Sequence, residues 1–278
     1  MRSRVIALFL VAVFLLTTSY AFAGGSGDCI LPLKQTTKFL KTGGAYEYNY
    51  VAKRENELQN SQSSMKDLEI RDQWQSYGKI TVGVLESTNL YAKIGVTNYK
   101  MKMRDKNNLD RVVETQLNDG IYTGLGTNSY FKLADVKPVT FGIGFDLQGN
   151  FSHNSISDIF AGGVRMVGVD GTVFAADGEE SLYLTCKYDV KMLKTSIIPY
   201  VGGYHSWLVV GSAEPVSARF QPETGHWVQN KAIRPGYDVL SFGVLVGCDL
   251  DIASFFNLNV EGRFGGETAL TTGATFKF

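Results

Sequence analysis

The feature that most constrains this chain is a period-two alternation of apolar and polar side chains, which recurs along nearly its whole length. In residues 139–148 the odd positions Val139, Phe141, Ile143, Phe145 and Leu147 are apolar, while the even positions from Thr140 to Gln148 are small or polar. Residues 238–251 set Leu240, Phe242, Val244, Val246, Cys248 and Leu250 against Val239, Ser241, Gly243, Leu245, Gly247, Asp249 and Asp251. Residues 182–190 and 257–264 repeat the pattern, with Lys187 and Asp189 opposite Leu184 and Tyr188, and Glu261 and Arg263 opposite Val260 and Phe264. Side chains that alternate in this way stand on opposite faces of a strand, and no helical period competes with the signal.

Weaker segments fill the gaps. Residues 45–53 set Tyr46, Tyr48 and Tyr50 against Glu47, Asn49 and Lys53; residues 74–85 set Ile80, Val82 and Val84 against Lys79, Thr81 and Gly83. Residues 90–103 set Ala92, Ile94 and Val96 against Lys93, Gly95 and Thr97, and residues 120–131 and 197–210 are strand-like. The chain closes with residues 268–278, where Leu270, Phe276 and Phe278 oppose Thr271, Thr275 and Lys277. The expectation is an all-β fold of about ten strands, with twelve or eight as alternatives. Thirty glycines, six prolines, 14 Tyr and 17 Phe suit strands and tight turns.

Connections alternate between short and long. Residues 86–89, 133–137, 192–196 and 253–256 are short, whereas 55–73, 104–119, 153–178 and 211–235 are long, and a tight last hairpin sits at Gly265-Gly266. Up-and-down membrane barrels alternate in this way, with short turns on the periplasmic side and long loops outside. Within the third long connection, residues 159–176 are expected to form an extracellular hairpin turning at Asp170-Gly171 rather than two further wall strands. Pro138 and Pro199 are placed at strand starts, since a ladder excludes proline from its interior.

The N-terminus carries Arg2 and Arg4, an apolar run from Val5 to Leu16 and the small-x-small site Ala21-Phe22-Ala23, the pattern of a cleavable signal peptide. Domain boundaries follow: signal peptide 1–23, a periplasmic leader or partial plug at 24–42, and a barrel at 43–278. Cleavage leaves 25 basic against 27 acidic side chains, without the basic surplus that a nucleic-acid binder carries. No later segment reaches the roughly 20 apolar residues of a spanning helix.

Alternation does not say which face points inward, and a soluble ligand-binding barrel uses the same pattern inverted. The charges favour the membrane. Glu47, Lys79, Lys93, Asp146, Lys187, Asp189, Asp249, Asp251, Glu261 and Arg263, with Lys277, are tolerable in a polar lumen and costly against hydrocarbon. Tyr46, Trp74, Tyr77, Tyr91, Tyr99 and Tyr130 are read as interfacial girdles.

The ending from Thr271 to Phe278 resembles the C-terminal signature of Gram-negative outer-membrane β-barrel proteins, and residues 80–96 are similar to a hairpin of OmpA/OmpX-like small barrels. The resemblance implies a cell outer-membrane location, lipid and lipopolysaccharide around the wall, and periplasmic chaperones and the barrel-assembly machinery as partners. It also implies that Phe276 and Phe278 form an assembly signal.

Catalytic motifs are missing: no phosphate-binding loop, no dinucleotide fingerprint, no His-Glu-x-x-His and no Cys-x-x-Cys. Cys186 and Cys248 are read as lipid-facing residues on strands that are not neighbours, too far apart to bridge. His153, His205 and His226, with Asp158, Asp177 and Asp238, are the residues that an omptin-like protease rim would recruit. A Ser–His pair on the lipid-facing wall, the arrangement of outer-membrane phospholipases, is not found. The expected protein is therefore a non-enzymatic, cofactor-free structural or narrow-pore barrel. The alternatives are a surface enzyme or adhesin, and a soluble secreted ligand-binding barrel.

Overall fold

The computed structural model describes residues 41–57, 65–85, 87–105, 112–190, 195–212, 217–219, 236–237, 241–252 and 255–278. The signal peptide, all of the leader except its last two residues, Cys29, His226 and Asp238 lie outside them. Every regular element among the described residues is a strand: β1 (Lys41–Glu57), β2 (Met65–Leu85), β3 (Thr88–Asp105), β4 (Val112–Leu117), β5 (Gly120–Val136), β6 (Val139–Ala161), β7 (Val164–Arg165), β8 (Val167–Asp170), β9 (Thr172–Val190), β10 (Thr195–Ser212), β11 (Ser217–Arg219), β12 (Gly236–Tyr237), β13 (Ser241–Ile252), β14 (Phe256–Gly265) and β15 (Glu267–Lys277).

Pairing runs antiparallel round a closed ring. β15 pairs with β1, from Lys277 opposite Gly43 to Glu267 opposite Arg54, which removes both sheet edges. β4 and β5 are one wall strand in two pieces, both lying between β3 and β6. The wall therefore has ten strands: β1, β2, β3, β4 with β5, β6, β9, β10, β13, β14 and β15. Following partners from Lys41 through Gly83, Asn89, Asn128, Asp146, Ser181, Tyr204, Gly243 and Gly265, then across the hairpin to Glu267, returns to β1 at Arg54. That stagger tilts the strands, and a closed ring of this size leaves an interior that side chains can fill.

One end of the barrel, the inner end, holds Lys41, Phe278 and the β2–β3 and β5–β6 turns; the outer end holds the far ends of β1, β3, β6 and β10 and the tight Gly265-Gly266 hairpin. Over the inner two-thirds, apolar side chains point outward: Ile80, Ile94 and Leu125 are each 69% exposed and Phe242 68%. Phe131, Phe141, Tyr188, Phe255, Phe276 and Phe278 are exposed around the inner edge of this belt. Toward the outer end the faces exchange. On β3, Tyr91, Lys93 and Thr97 point inward and Ala92, Ile94 and Val96 outward, but further on Tyr99, Met101 and Met103 are inside while Lys100, Lys102 and Arg104 face outward. Leu68, Ile70, Leu117, Ile156, Val173 and Leu208 join Tyr99 and Met101 in one apolar core that fills the outer barrel. The long connections are thus partly wall, because β2, β3, β6 and β9 continue beyond the belt.

Irregularities cluster where the faces exchange. The β1 ladder shifts between Val51 and Lys53, so Arg54 turns inward and Lys53, expected on the inner face, turns out. The β2–β3 ladder shifts between Arg71 and Trp74, where Asp72 has φ +48°. The wall strand breaks at Asn118–Asp119, and Asn154 Nδ2 spans the break with bonds to Thr97 O (2.8 Å) and Asn118 O (2.9 Å). Such bulges reverse which side chains face inward beyond them.

Two local expectations change, and one holds. The hairpin between β6 and β9 turns at Gly162-Gly163 (φ +59° and +81°), with Val164 opposite Ala161, rather than at Asp170-Gly171. β8 pairs with β11, so the wall gains no strand from this segment. Pro199 lies inside β10: it pairs with Cys248 of β13, while the β9 ladder passes from Ile197–Tyr188 to Tyr200–Thr185. With no N–H to donate, proline is accommodated where that ladder lapses.

Candidate functional site

The interior below the apolar core is a packed polar network. Eight carboxylates (Glu47, Asp146, Asp177, Glu179, Asp249, Asp251, Glu261 and Glu267) and five bases (Arg54, Lys79, Lys93, Arg263 and Lys277) are buried there among the described residues. The wall supplies them by alternation. All but Arg54, which lies between the exposed Lys53 and Glu55, stand one residue from an apolar or small residue, so inward charge and outward apolarity come from the same pattern.

Arg263 is the hub. Its guanidinium reaches Glu179 of β9 at 2.8 Å, Glu267 of β15 at 2.5 Å and Glu261 at 3.3 Å. It also donates to Thr271 at 3.0 Å and Asn49 at 3.2 Å, so one side chain ties β1, β9, β14 and β15 across the lumen. A second cluster lies opposite. Lys79 pairs with Glu47, Lys93 donates to Gln148, and the Tyr91 hydroxyl donates to Asp146 at 2.9 Å. The Lys93 ammonium stands 4.9 Å from the Tyr77 ring centre. Toward the inner mouth, Asn259 donates to Asp249 (2.8 Å), the Tyr200 hydroxyl to Glu261 (3.0 Å) and Lys277 to Asp251 (2.8 Å). Lys187 and Asp189 sit at the mouth, 3.3 Å apart, with the Asp189 side chain half exposed.

Charged groups taken out of water persist only when paired and hydrogen-bonded. The described lumen is therefore a cross-braced interior rather than a row of free charges. Arg54, Asp177, Glu179 and Glu267 belong to it as well: Asp177 falls in the expected loop 153–178, and the other three fall between the expected strands and their connections. Their parity with Ser181, Tyr183 and Thr271 was the signal available.

The expected girdle is corrected. Tyr77, Tyr91 and Tyr99 are buried inside the barrel, Tyr130 packs against the inner cluster of Tyr183, Tyr200 and Tyr204, and Trp74 is half-buried; Tyr46 alone of the six is exposed on the outer surface. The rim constellation does not assemble among the described residues. Asp158 binds Arg165 at 2.5 Å, Asp177 accepts from Asn150 at 3.0 Å, and His153 is exposed on β6 between Ile121 and Phe174. His205 shares the outward parity of Val201 on β10. Cys186 and Cys248 are free and separated by β10.

No family model matches the chain, and no curated protein matches it in sequence. Among solved structures, the chain is similar to the outer-membrane protease OmpT from Escherichia coli, at 11% identity over 91% of this chain and 100% of that one, with a TM-score of 0.45. It is also similar to the translocator domain of the autotransporter NalP from Neisseria meningitidis, at 11% identity over 88% and 91% with a TM-score of 0.36. The transport unit of the autotransporter AIDA-I from Escherichia coli matches at 10% identity over 89% and 92%, with a TM-score of 0.30. These neighbours are outer-membrane β-barrels, and a specific likeness to the OmpA/OmpX-like group is not among the three.

Proposed function

We propose that this chain is an integral outer-membrane wall protein, closed to solutes and without catalytic activity, whose raised outer barrel carries its long connections clear of the lipid surface. The exchange of faces along β3 carries this reading. A strand with Ala92, Ile94 and Val96 outward, then Lys100, Lys102 and Arg104 outward, suits a wall that leaves hydrocarbon and enters water. About ten residues of each tilted strand lie in the apolar belt, which matches a hydrocarbon band of about 25 Å. A soluble ligand-binding barrel would need the apolar face inside at the belt, where Lys79, Lys93 and Arg263 stand instead.

Closure follows from what fills the interior. The apolar core of the outer barrel and the Arg263 network lie in series, and their side chains are nearly inaccessible. Lipid and lipopolysaccharide surround the belt in this reading. Phe276 and Phe278 present two exposed rings on the outer surface at the inner end of the barrel, where the assembly machinery could read them.

Planar-bilayer recording of the purified, heat-modifiable protein tests the proposal. No stable single-channel steps are expected at neutral pH, and regular steps in wild-type protein would replace the closed wall with a narrow pore.

A further inference from the structure

Toward the inner mouth, the lumen wall made by β13 and β14 presents four polar side chains as two facing pairs. Asp249 stands directly opposite Asn259 in the ladder, and Asp251 directly opposite Asn257. All four point inward: Asp249 and Asn257 are 0% exposed, Asp251 2% and Asn259 3%. Alternation fixes this, since Val246, Leu258 and Val260 of the same strands are exposed on the outer surface. Asn259 Nδ2 donates to Asp249 at 2.8 Å and to the Tyr200 hydroxyl at 3.0 Å. Lys277 crosses β14 from β15 and binds Asp251 through Oδ1 at 2.8 Å. Gly273, opposite Asn259 on β15, brings no side chain to this stretch of wall.

Neither amide atom of Asn257 has a hydrogen-bond partner among the described residues, and neither does Oδ1 of Asn259. A buried amide left unpaired is costly, so a side chain in this position calls for a water or an ion. The surroundings select the ion. Two carboxylates and two amide oxygens are all acceptors, and a bridging water has only two hydrogens to offer them. An all-oxygen donor set with two negative charges suits a hard cation such as calcium rather than a metal that seeks nitrogen or sulfur. Among the described residues no three His, Cys, Asp or Glu side chains form a metal group, so a cation here depends on the asparagine oxygens.

We propose that Asp249, Asp251, Asn257 and Asn259 form a calcium site in the lumen near the inner mouth. The ion gives Asn257 and Asn259 the partner that their oxygens lack and offsets the two neighbouring carboxylates. Lys277 shares Asp251 with it. Calcium tolerates irregular shells and keeps waters where protein oxygens run out, so strands fixed by a ladder can supply only part of its coordination. The site lies on the wall of the lumen whether or not the barrel conducts, so channel steps would count against the closed wall and leave this site standing.

Terbium titration of the folded, chelator-treated protein in detergent tests it. Terbium takes the oxygen ligands of calcium and emits when a nearby tyrosine is excited, and Tyr200 is hydrogen-bonded to Asn259. Wild-type protein should give saturable emission that excess calcium chloride abolishes. Asn257→Leu and Asp249→Asn should each weaken calcium competition about tenfold or more, because each removes an oxygen ligand or its charge. Asn257→Asp, which puts a charged oxygen in the same place, should tighten it. Asp72→Asn, on the outer surface, should bind as wild type does. Wild-type protein without saturable emission, or with emission that calcium does not displace, would overturn the proposal and leave the amides to ordered water. So would Asn257→Leu that binds as well as wild type, Asn257→Asp that binds no more tightly, or loss of the signal in Asp72→Asn. Heat-modifiable mobility scores folding of every variant first, and if Asp249→Asn does not fold, the two Asn257 variants decide.

Discussion

At the scale of the residue, inward tyrosines lie over glycines on adjacent strands. Tyr91 covers Gly126, Tyr183 covers Gly144, Tyr200 covers Gly247 and Tyr204 covers Gly243, each so closely that a Cβ on the glycine would overlap the ring. Gly144→Ala should therefore displace Tyr183 and cost about 1–3 kcal/mol, the usual penalty of overpacking. Gly78→Ala, where the nearest atom would be 3.9 Å away, should change little. Urea unfolding in detergent checks both. Just above the belt, Asp72 accepts from Lys100 (2.9 Å) and Tyr50 (3.2 Å). The hydrogen bond from Lys100 holds its carboxyl below the ordinary carboxylate range. A depressed acid contributes stability above its unfolded titration and loses it as pH falls through its folded one. Asp72→Asn should thus cost less than about 1 kcal/mol at neutral pH, because the pair is solvated, and nothing once acid has protonated the wild-type carboxyl. Urea midpoints compared at neutral and strongly acidic pH test this, and an equal loss at both would contradict it. The tyrosines also show what parity can reveal. Tyr77 and Tyr91 share the faces of Lys79 and Lys93, so their inward placement was readable, but the affinity of tyrosine for membrane interfaces pointed the other way.

At the scale of the element, β13, β14 and β15 were the most legible strands. Their inward residues Asp249, Asp251, Glu261, Arg263 and Lys277 alternate without a break against exposed Phe242, Val244, Val260 and Phe276. The outer parts of β2, β3, β6 and β9 were not legible as wall. There the alternation continues with its faces exchanged, and bulges at residues 51–53 and 71–74 break the count, so the segments read as loops. Asp177 was therefore read as a rim residue of a loop rather than as a lumen charge, and Glu179 and Glu267 fell just outside the expected strands 182–190 and 268–278. Arg263 joins elements that lie far apart in the chain, and its removal should expose the cost of the arrangement. Arg263→Met leaves Glu179, Glu261 and Glu267 without their shared cation, an expected loss of about 3–5 kcal/mol. Arg263→Lys should recover only part of it, since a single ammonium cannot match the fork that serves three carboxylates. Equal stability of wild type and Arg263→Met would contradict the cross-brace.

At the scale of the whole molecule, one ring of strands builds two environments. The belt sets apolar side chains outside a polar interior, and the outer barrel sets charged side chains outside an apolar one. The most direct test of this account is a site-directed spin-label scan along β3 in bilayers, comparing collision with oxygen, which concentrates in lipid, and with a water-soluble nickel chelate. Labels replacing Ala92, Ile94 and Val96 should favour oxygen, and labels replacing Lys100, Lys102 and Arg104 should favour the chelate, with the crossover between Val96 and Lys100. Chelate access at Ile94 equal to that at Lys102 would contradict a lipid-facing belt and return the molecule to the soluble barrels.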